Sequence, residues 1–283
     1  MKKIQILVCA HKESSYTRNC KPYTAIQVGK ALHPDINLGF LNDNIGDNIS
    51  NKNSSWSELT ALYWGWKNIN DVEYLGLCHY RRYFDVQIDD TNIDKIIKEK
   101  DIIVIKSPKM NSRQERADNL IHMTSQEDYY IFADTFLSIY PQFHDSFINY
   151  FYNSRVSYPY TMFIAKKEIY DAFCNFIFPV LFKVEKRIKK HGYSRQQRCI
   201  GYFGEWSLGL FISCMHLKVK CVPLVFCDKG KNKHSKLAYF CRDIWKFFYF
   251  VLDRLKPTPK EILVPPDVMT GLKQDGIILN ILK

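Results

Sequence analysis

The sequence predicts an α/β fold, a mixed and mainly parallel sheet flanked by helices. Three observations carry that reading. Apolar runs of strand length recur at residues 4–9, 36–41, 74–78 and 101–105. Segments with helical spacing alternate with them at 25–32, 57–68 and 94–99, the pattern of crossover-connected parallel strands. Two of the apolar runs break off into basic residues, Ala10-His11-Lys12 and Cys78-His79-Tyr80-Arg81-Arg82. In an open α/β sheet ligands bind beyond the carboxyl ends of the strands, so these endings suit an anion. A strand followed by an ordinary exposed basic loop is the plainer alternative.

In chain order, residues 4–9 form the first strand, 25–32 a short helix and 36–41 a weak second strand. The stretch from Leu41 to Asn53, dense in Asn, Asp, Gly and Ser, is a loop with turn chemistry. Ser55 lies three residues before Glu58, the spacing of a capping box, and Leu59, Leu62, Tyr63 and Trp66 then make one helical apolar stripe that belongs to the core. Residues 106–125 are polar and irregular, with Arg113, Arg116 and His122, and suit a loop beside a site. A helix over 127–152 is interrupted at Pro141, and a strand-like aromatic run covers 158–165. A long helix spans 167–190, Glu205 opens a further helix in Gly201-Tyr202-Phe203-Gly204-Glu205, and a last strand covers 218–226. Residues 236–256 combine a broad apolar face with Lys236, Arg242, Lys246, Arg254 and Lys256, and carry Trp245 and Tyr249, residues that favour a membrane interface. A helix packed on its own domain is the alternative there.

Composition narrows the function classes. The chain has 283 residues and a formal charge of +11, which attracts polyanions without choosing among nucleic acid, anionic lipid and phosphorylated substrates. The charge is dispersed, and no recognised nucleic-acid module is present. Nine cysteines, an odd number without a C-x-x-C pair, fit reduced thiols in a cytosolic protein and argue against a zinc knuckle. The first apolar run is too short for a signal peptide, and no stretch reaches the roughly 18 apolar residues of a spanning helix.

The order Ala-His-Lys after the first strand, then G-D-N-I-S-N-K-N, E-L-T-A-L-Y-W-G-W-K-N and G-L-C-H-Y-R-R-Y-F, resembles a bacterial glycosyltransferase family. That family was long catalogued as a domain of unknown function and occurs in capsule, exopolysaccharide and O-antigen clusters. The resemblance covers roughly residues 3–228 and implies a GT-A-like fold over residues 1–230. Its nucleotide-sugar half would be 1–105 and its acceptor half 106–230, followed by a basic amphipathic tail at 231–283. It implies a hexosyltransferase that moves a sugar, galactose in pyranose or furanose form, from a UDP donor to a lipid-linked glycan, with inversion. The protein would be cytoplasmic and peripheral at the anionic inner face of the membrane, with no nucleic-acid partner.

Site residues follow from the same resemblance. Glu205 would be the base that deprotonates the acceptor hydroxyl; a helix N-terminal glutamate is the alternative. His11, Lys12, His79, Arg81 and Arg82 would hold the diphosphate. Asp43, Asp47, Asn48 and Asn53 would contact base and ribose, or set the turns of their loop. His122 and Asp128 would touch sugar or acceptor. Related enzymes end the corresponding strand in an Asp-x-Asp pair that holds a metal, whereas this chain has His79, Arg81 and Arg82 there. Guanidinium forks suit phosphate oxygens, so the reading is binding without a cofactor. Asp85, Asp89 and Asp90 leave open the recruitment of Mn2+ or Mg2+. A non-catalytic carbohydrate- or nucleic-acid-binding protein is the competing class.

Overall fold

The computed structural model describes residues 2–106, 115–192 and 196–227, together with 244–245, 247–249, 251–253, 255, 257 and 259–282. These build a nine-stranded mixed sheet. β1 (Lys2–Ala10) lies between β2 (Tyr23–Gln27) and β4 (Val72–His79), and β3 (Leu41–Asn42) follows β2, all parallel. Cys9 is thereby level with Ile26 on one side and His79 on the other. Beyond β4 the direction reverses. β7 (Phe163–Lys166) runs antiparallel to β4 and to β6 (Ile102–Ile105), and β8 (Val219–Val222) ends the row parallel to β6. At the carboxyl end of β4 the chain folds back as β5 (Arg82–Phe84), which pairs with β9 (Leu224–Phe226).

β1 shows how the sheet divides two cores. Ile4, Ile6 and Val8 face one apolar cluster and Leu7 and Cys9 the other, the two-residue alternation of a strand. The smaller cluster is capped by Ile93 and Ile97 of α3 (Ile93–Ile97). The larger one is covered by α2 (Leu59–Asn68), α5 (Gln126–Ile139), α7 (Lys167–Arg187) and α8 (Cys199–Cys214). Leu59 and Leu62 of the α2 stripe are fully buried, and its aromatics Tyr63 and Trp66 are half-buried against the same core. Trp66 stacks on Phe178 of α7 at 5.6 Å, and Trp56, on α1 (Asn53–Trp56), lies 4.9 Å from Phe182.

Several elements depart from the expectation. Residues 25–32 begin as β2 rather than a helix, because Ala25 and Ile26 are buried against β1 and pairing outweighs local preference. The strand expected over 36–41 shrinks to β3. The last strand splits at Pro223, which has no N–H for a ladder, into β8 and β9. The aromatic run over 158–165 becomes strand only from Phe163, since Tyr160 and Thr161 have φ of 71° and 52°. The stretch 106–125, expected to be irregular, is helical from Glu115 as α4 (Glu115–Met123), and beyond α5 the helix resumes after Pro141 as α6 (His144–Ile148).

The C-terminal stretch is divided. Within 244–255, Trp245, Phe247, Phe248, Tyr249, Leu252 and Leu255 are each more than half exposed. Lys236, Arg242, Lys246, Arg254 and Lys256 lie outside the described residues, as does Arg113. Residues 259–282, by contrast, pack on the main body. Ile262, Leu282, and Val268 and Leu272 of α9 (Pro266–Gln274) join the larger core. Asp134, fully buried on α5, accepts the backbone N–H groups of Asn280, Ile281 and Leu282 and pairs with Arg187 at 2.8 Å.

Candidate active site

A cleft of about 480 Å³ opens beyond the carboxyl ends of β1 and β4. β1 contributes Cys9 and, just past its end, His11; β4 ends in His79, with Tyr80, Arg81 and Arg82 in the turn to β5. Asn53, Ser57 and Glu58 come from the α1–α2 junction, Tyr160 from the segment before β7, and Arg198 and Glu205 from the start and second turn of α8. The antiparallel course of β7 is what brings Tyr160 to this end of the sheet. Two glycines of α8 allow the approach of α1 and α2. A Cβ on Gly201 would stand 3.0 Å from the Ser57 hydroxyl, and one on Gly204 would collide with the Leu59 side chain at 2.5 Å.

The centre of the cleft is a two-residue left-handed turn. Tyr160 and Thr161 are non-glycine residues at positive φ, a conformation that costs about 1–2 kcal/mol per residue. Four contacts hold it. The Tyr160 N–H donates to the Glu205 carboxylate at 3.0 Å, and the Tyr160 carbonyl accepts from His79 Nε2 at 2.7 Å. The Thr161 hydroxyl donates to Glu58 at 3.1 Å, and the Arg82 guanidinium lies 4.4 Å from the Tyr160 ring centroid. Glu58 and Glu205 are thus fixed to consecutive residues of one turn.

The electrostatics follow from that arrangement. Burial pushes the Glu205 carboxyl above the ordinary glutamate range, and the negative charge of Glu58 adds to the rise. Burial likewise raises Glu58, partly offset by its hydrogen bonds and by Arg198 and Arg82. Among the described residues neither carboxylate forms an ion pair. His79 is pushed down to about 4 by burial, with Arg82 and Arg198 adding to the effect. It is neutral at physiological pH, and its bond to a carbonyl places the proton on Nε2. His11 is lowered too, by burial and by Lys12, Arg81 and Arg198. The lasting positive charges of the lining are therefore Arg81, Arg82 and Arg198. Cys9 is buried and its thiol raised well above the usual value, so it is no nucleophile.

The sequence-predicted residues distribute as follows. His11, His79, Arg81, Arg82, Asn53 and Glu205 line the cleft, while Lys12 is exposed beside it. Asn53 donates its amide to the Ser57 carbonyl at 2.7 Å and to the Thr60 hydroxyl at 3.0 Å. Asp43, fully buried, accepts from the backbone N–H groups of Gly29 and Lys30 and from the Ser50 hydroxyl. Asp47 accepts from the Tyr63 hydroxyl, and Asn48 bonds to Gly46 and Ser50. These three order the loop ahead of Asn53. His122 is exposed on α4; Asp128 is buried on α5, takes the Gln196 amide, and is raised to about 6 by burial. Neither reaches the cleft lining. Asp85, Asp89 and Asp90 also lie outside it: Asp89 caps Thr91 and Asn92, and Asp90 accepts the Ile4 N–H. Among the described residues no three His, Cys, Asp or Glu side chains cluster as a metal site.

Two charged lining residues, Glu58 and Arg198, were not singled out by the sequence. Glu58 was read as half of a capping box, yet its side chain makes no cap bond and reaches Thr161 instead. Arg198 donates from Nε and one terminal nitrogen to the Ser57 hydroxyl, at 3.2 and 3.1 Å. Only the three-dimensional neighbourhood of the Tyr160 turn distinguishes them.

This sheet, with a basic cleft at its strand ends, is a GT-A-like fold. A solved structure described as the bifunctional glycosyltransferase WbbM, in its apo state, superposes with a TM-score of 0.72 at 26% identity, over 80% of this chain. The match takes in 46% of that protein, so the present chain spans less than half of it. The chain belongs to the family described as domain of unknown function DUF4422, matched over residues 5–216. No curated protein matches it.

Proposed function

We propose that the protein is a glycosyltransferase that uses a nucleoside diphosphate sugar in the synthesis of a bacterial surface polysaccharide. The observation that carries this reading is the polarity of the cleft. Guanidinium groups of Arg81, Arg82 and Arg198 line it together with two carboxylates whose proton affinity is raised, and the likeness to WbbM supports the reaction class. In the proposed step an acceptor hydroxyl attacks the anomeric carbon and the bond from that carbon to the diphosphate oxygen breaks. Glu205 takes the hydroxyl proton, and Arg81 and Arg82 receive the charge that develops on the diphosphate. His79 contributes a neutral N–H dipole that orients Tyr160, and with it the Glu205 carboxylate.

The donor in this reading is UDP-galactose, pyranose or furanose, and the acceptor a glycan on a polyprenyl diphosphate, transferred to with inversion. Binding of the diphosphate is by guanidinium rather than metal. Among the described residues no helix is long and apolar enough to cross a membrane; the exposed aromatic residues 244–255 would instead lie on an anionic bilayer. Transfer measured from a panel of UDP-sugars, with and without EDTA, tests the reading. Transfer that survives EDTA and is lost in Glu205→Gln is expected. Absence of nucleotide-sugar binding, with tight oligonucleotide binding, would overturn it.

A further inference from the structure

The glycosyl-transfer reading gives Arg81 and Arg82 to the diphosphate and Glu205 to the acceptor, and leaves Glu58 without a role. Resting on that reading, we infer that Glu58 holds the transferred sugar, its carboxylate accepting hydrogen bonds from sugar hydroxyls between the diphosphate seat and Glu205.

Position is the first argument. Glu58 is tied through Thr161 to the residue next to the one that holds Glu205, so the two carboxylates sit side by side on one turn. Glu58 also follows Ser57, whose hydroxyl oxygen accepts from the Arg198 guanidinium at 3.2 and 3.1 Å. Glu58 therefore stands on the guanidinium side of Glu205. A sugar in transit has its anomeric carbon between the departing phosphate oxygen and the acceptor oxygen, which is the space these groups bound.

Capacity is the second argument. On the same wall the Asn53 amide N–H groups are spent on Ser57 and Thr60, and the Ser57 hydroxyl oxygen already accepts two N–H groups of Arg198. An ionised carboxylate has about four acceptor sites, of which the Thr161 hydroxyl and the backbone N–H of Glu58 use part. Sugar hydroxyls are donors, and a partly desolvated carboxylate is the strongest acceptor available to them. Its side chain makes no cap bond to α2.

The test is isothermal titration of UDP, UDP-glucose and UDP-galactose into wild type, Glu58→Gln, Glu58→Asp and Glu205→Gln. UDP reads the diphosphate seat alone, and the two sugars differ at one hydroxyl. In Glu58→Gln, UDP affinity is expected to stay within about twofold, with the preferred UDP-sugar weakened about 10- to 100-fold and the ratio between the two sugars levelled. Glu205→Gln is expected to keep that ratio. An unchanged UDP-sugar affinity and ratio in Glu58→Gln overturns the inference and leaves the glycosyl-transfer reading standing. A wild type that takes up none of the three ligands overturns the reading itself. Should Glu58→Gln lose UDP as well through misfolding, Glu58→Asp decides: normal UDP affinity with weakened sugar binding supports the inference, and normal affinity for both overturns it.

Discussion

Replacing Glu205 by Gln separates catalysis from stability, because the two effects have opposite signs. Gln keeps the shape and still accepts the Tyr160 N–H, so the left-handed turn persists. What it loses is the ability to take a proton, and loss of a general base lowers kcat by about 10²- to 10⁴-fold, or about 2.7–5.5 kcal/mol. Stability moves the other way. Burial, and after it the charge of Glu58, raise the folded-state pKa of Glu205 above its unfolded value. The stabilising contribution is then complete below the ordinary glutamate value and is lost as pH rises through the raised value. Above that raised value the ionised side chain is a burden that Gln removes, and the variant is the more stable of the two. Paired assays of sugar transfer and thermal unfolding at pH 7 and pH 4 read both effects. Transfer should collapse while Tm rises by a few degrees at pH 7, and the Tm difference should vanish at pH 4. A variant with wild-type turnover would refute the base assignment. One with lowered Tm at pH 7 would refute the electrostatic account of the cleft.

Arg81→Ala and Arg82→Ala should each weaken UDP-sugar binding about 10- to 100-fold by titration calorimetry, and unaltered affinity in both would place the diphosphate elsewhere. Because His79 is pushed down to about 4, its ring proton resonance should not shift between pH 5 and 8 in NMR spectra. Its lowered folded-state pKa means that stability falls as pH drops from the ordinary histidine range through 4, by roughly 3 kcal/mol in all. A resonance that titrates near 6.5 would contradict the buried neutral assignment. Asp134→Ala should cost about 3–5 kcal/mol in urea unfolding, since it takes the counter-charge from Arg187 and the acceptor from the N–H groups of Asn280, Ile281 and Leu282 together. A cost below about 1 kcal/mol would show that the C-terminal segment is held by other means.

The strands that place the site were legible because β1, broken only at Gln5, and β4 from Tyr74 are apolar runs that end in charge, a pattern a buried strand imposes on its own sequence. β2 was not. Its Tyr23, Thr24 and Ile26 favour a strand, but the helical spacing over 25–32 pointed the other way, and pairing with the open edge of β1 decides it. At the site, His11, Arg81 and Arg82 stand out as charge where an apolar run breaks off, and Glu205 as a single acid among apolar and small residues. Glu58 did not, because a glutamate three residues after a serine at a helix start has a sufficient local explanation. The Tyr160–Thr161 turn was hidden for a related reason: its aromatic flanks read as strand, and its positive φ values are imposed by Glu205, Glu58, His79 and Arg82, residues far away in the chain.

The attachment of residues 280–282 to Asp134 bears on how the protein can be trimmed. The family match stops at residue 216, before β8, β9 and the C-terminal segment. A chain shortened to that limit would lose the sheet edge strand beside β6 and the partner of β5, and would leave the buried Asp134 with Arg187 but without its three backbone N–H donors. Since β5 carries Arg82, such a fragment would be impaired at the cleft as well as in its stability. The cooperative unit is longer than the region by which relatives are recognised, and fusions or deletions are better placed beyond Leu282 than at the edge of the match.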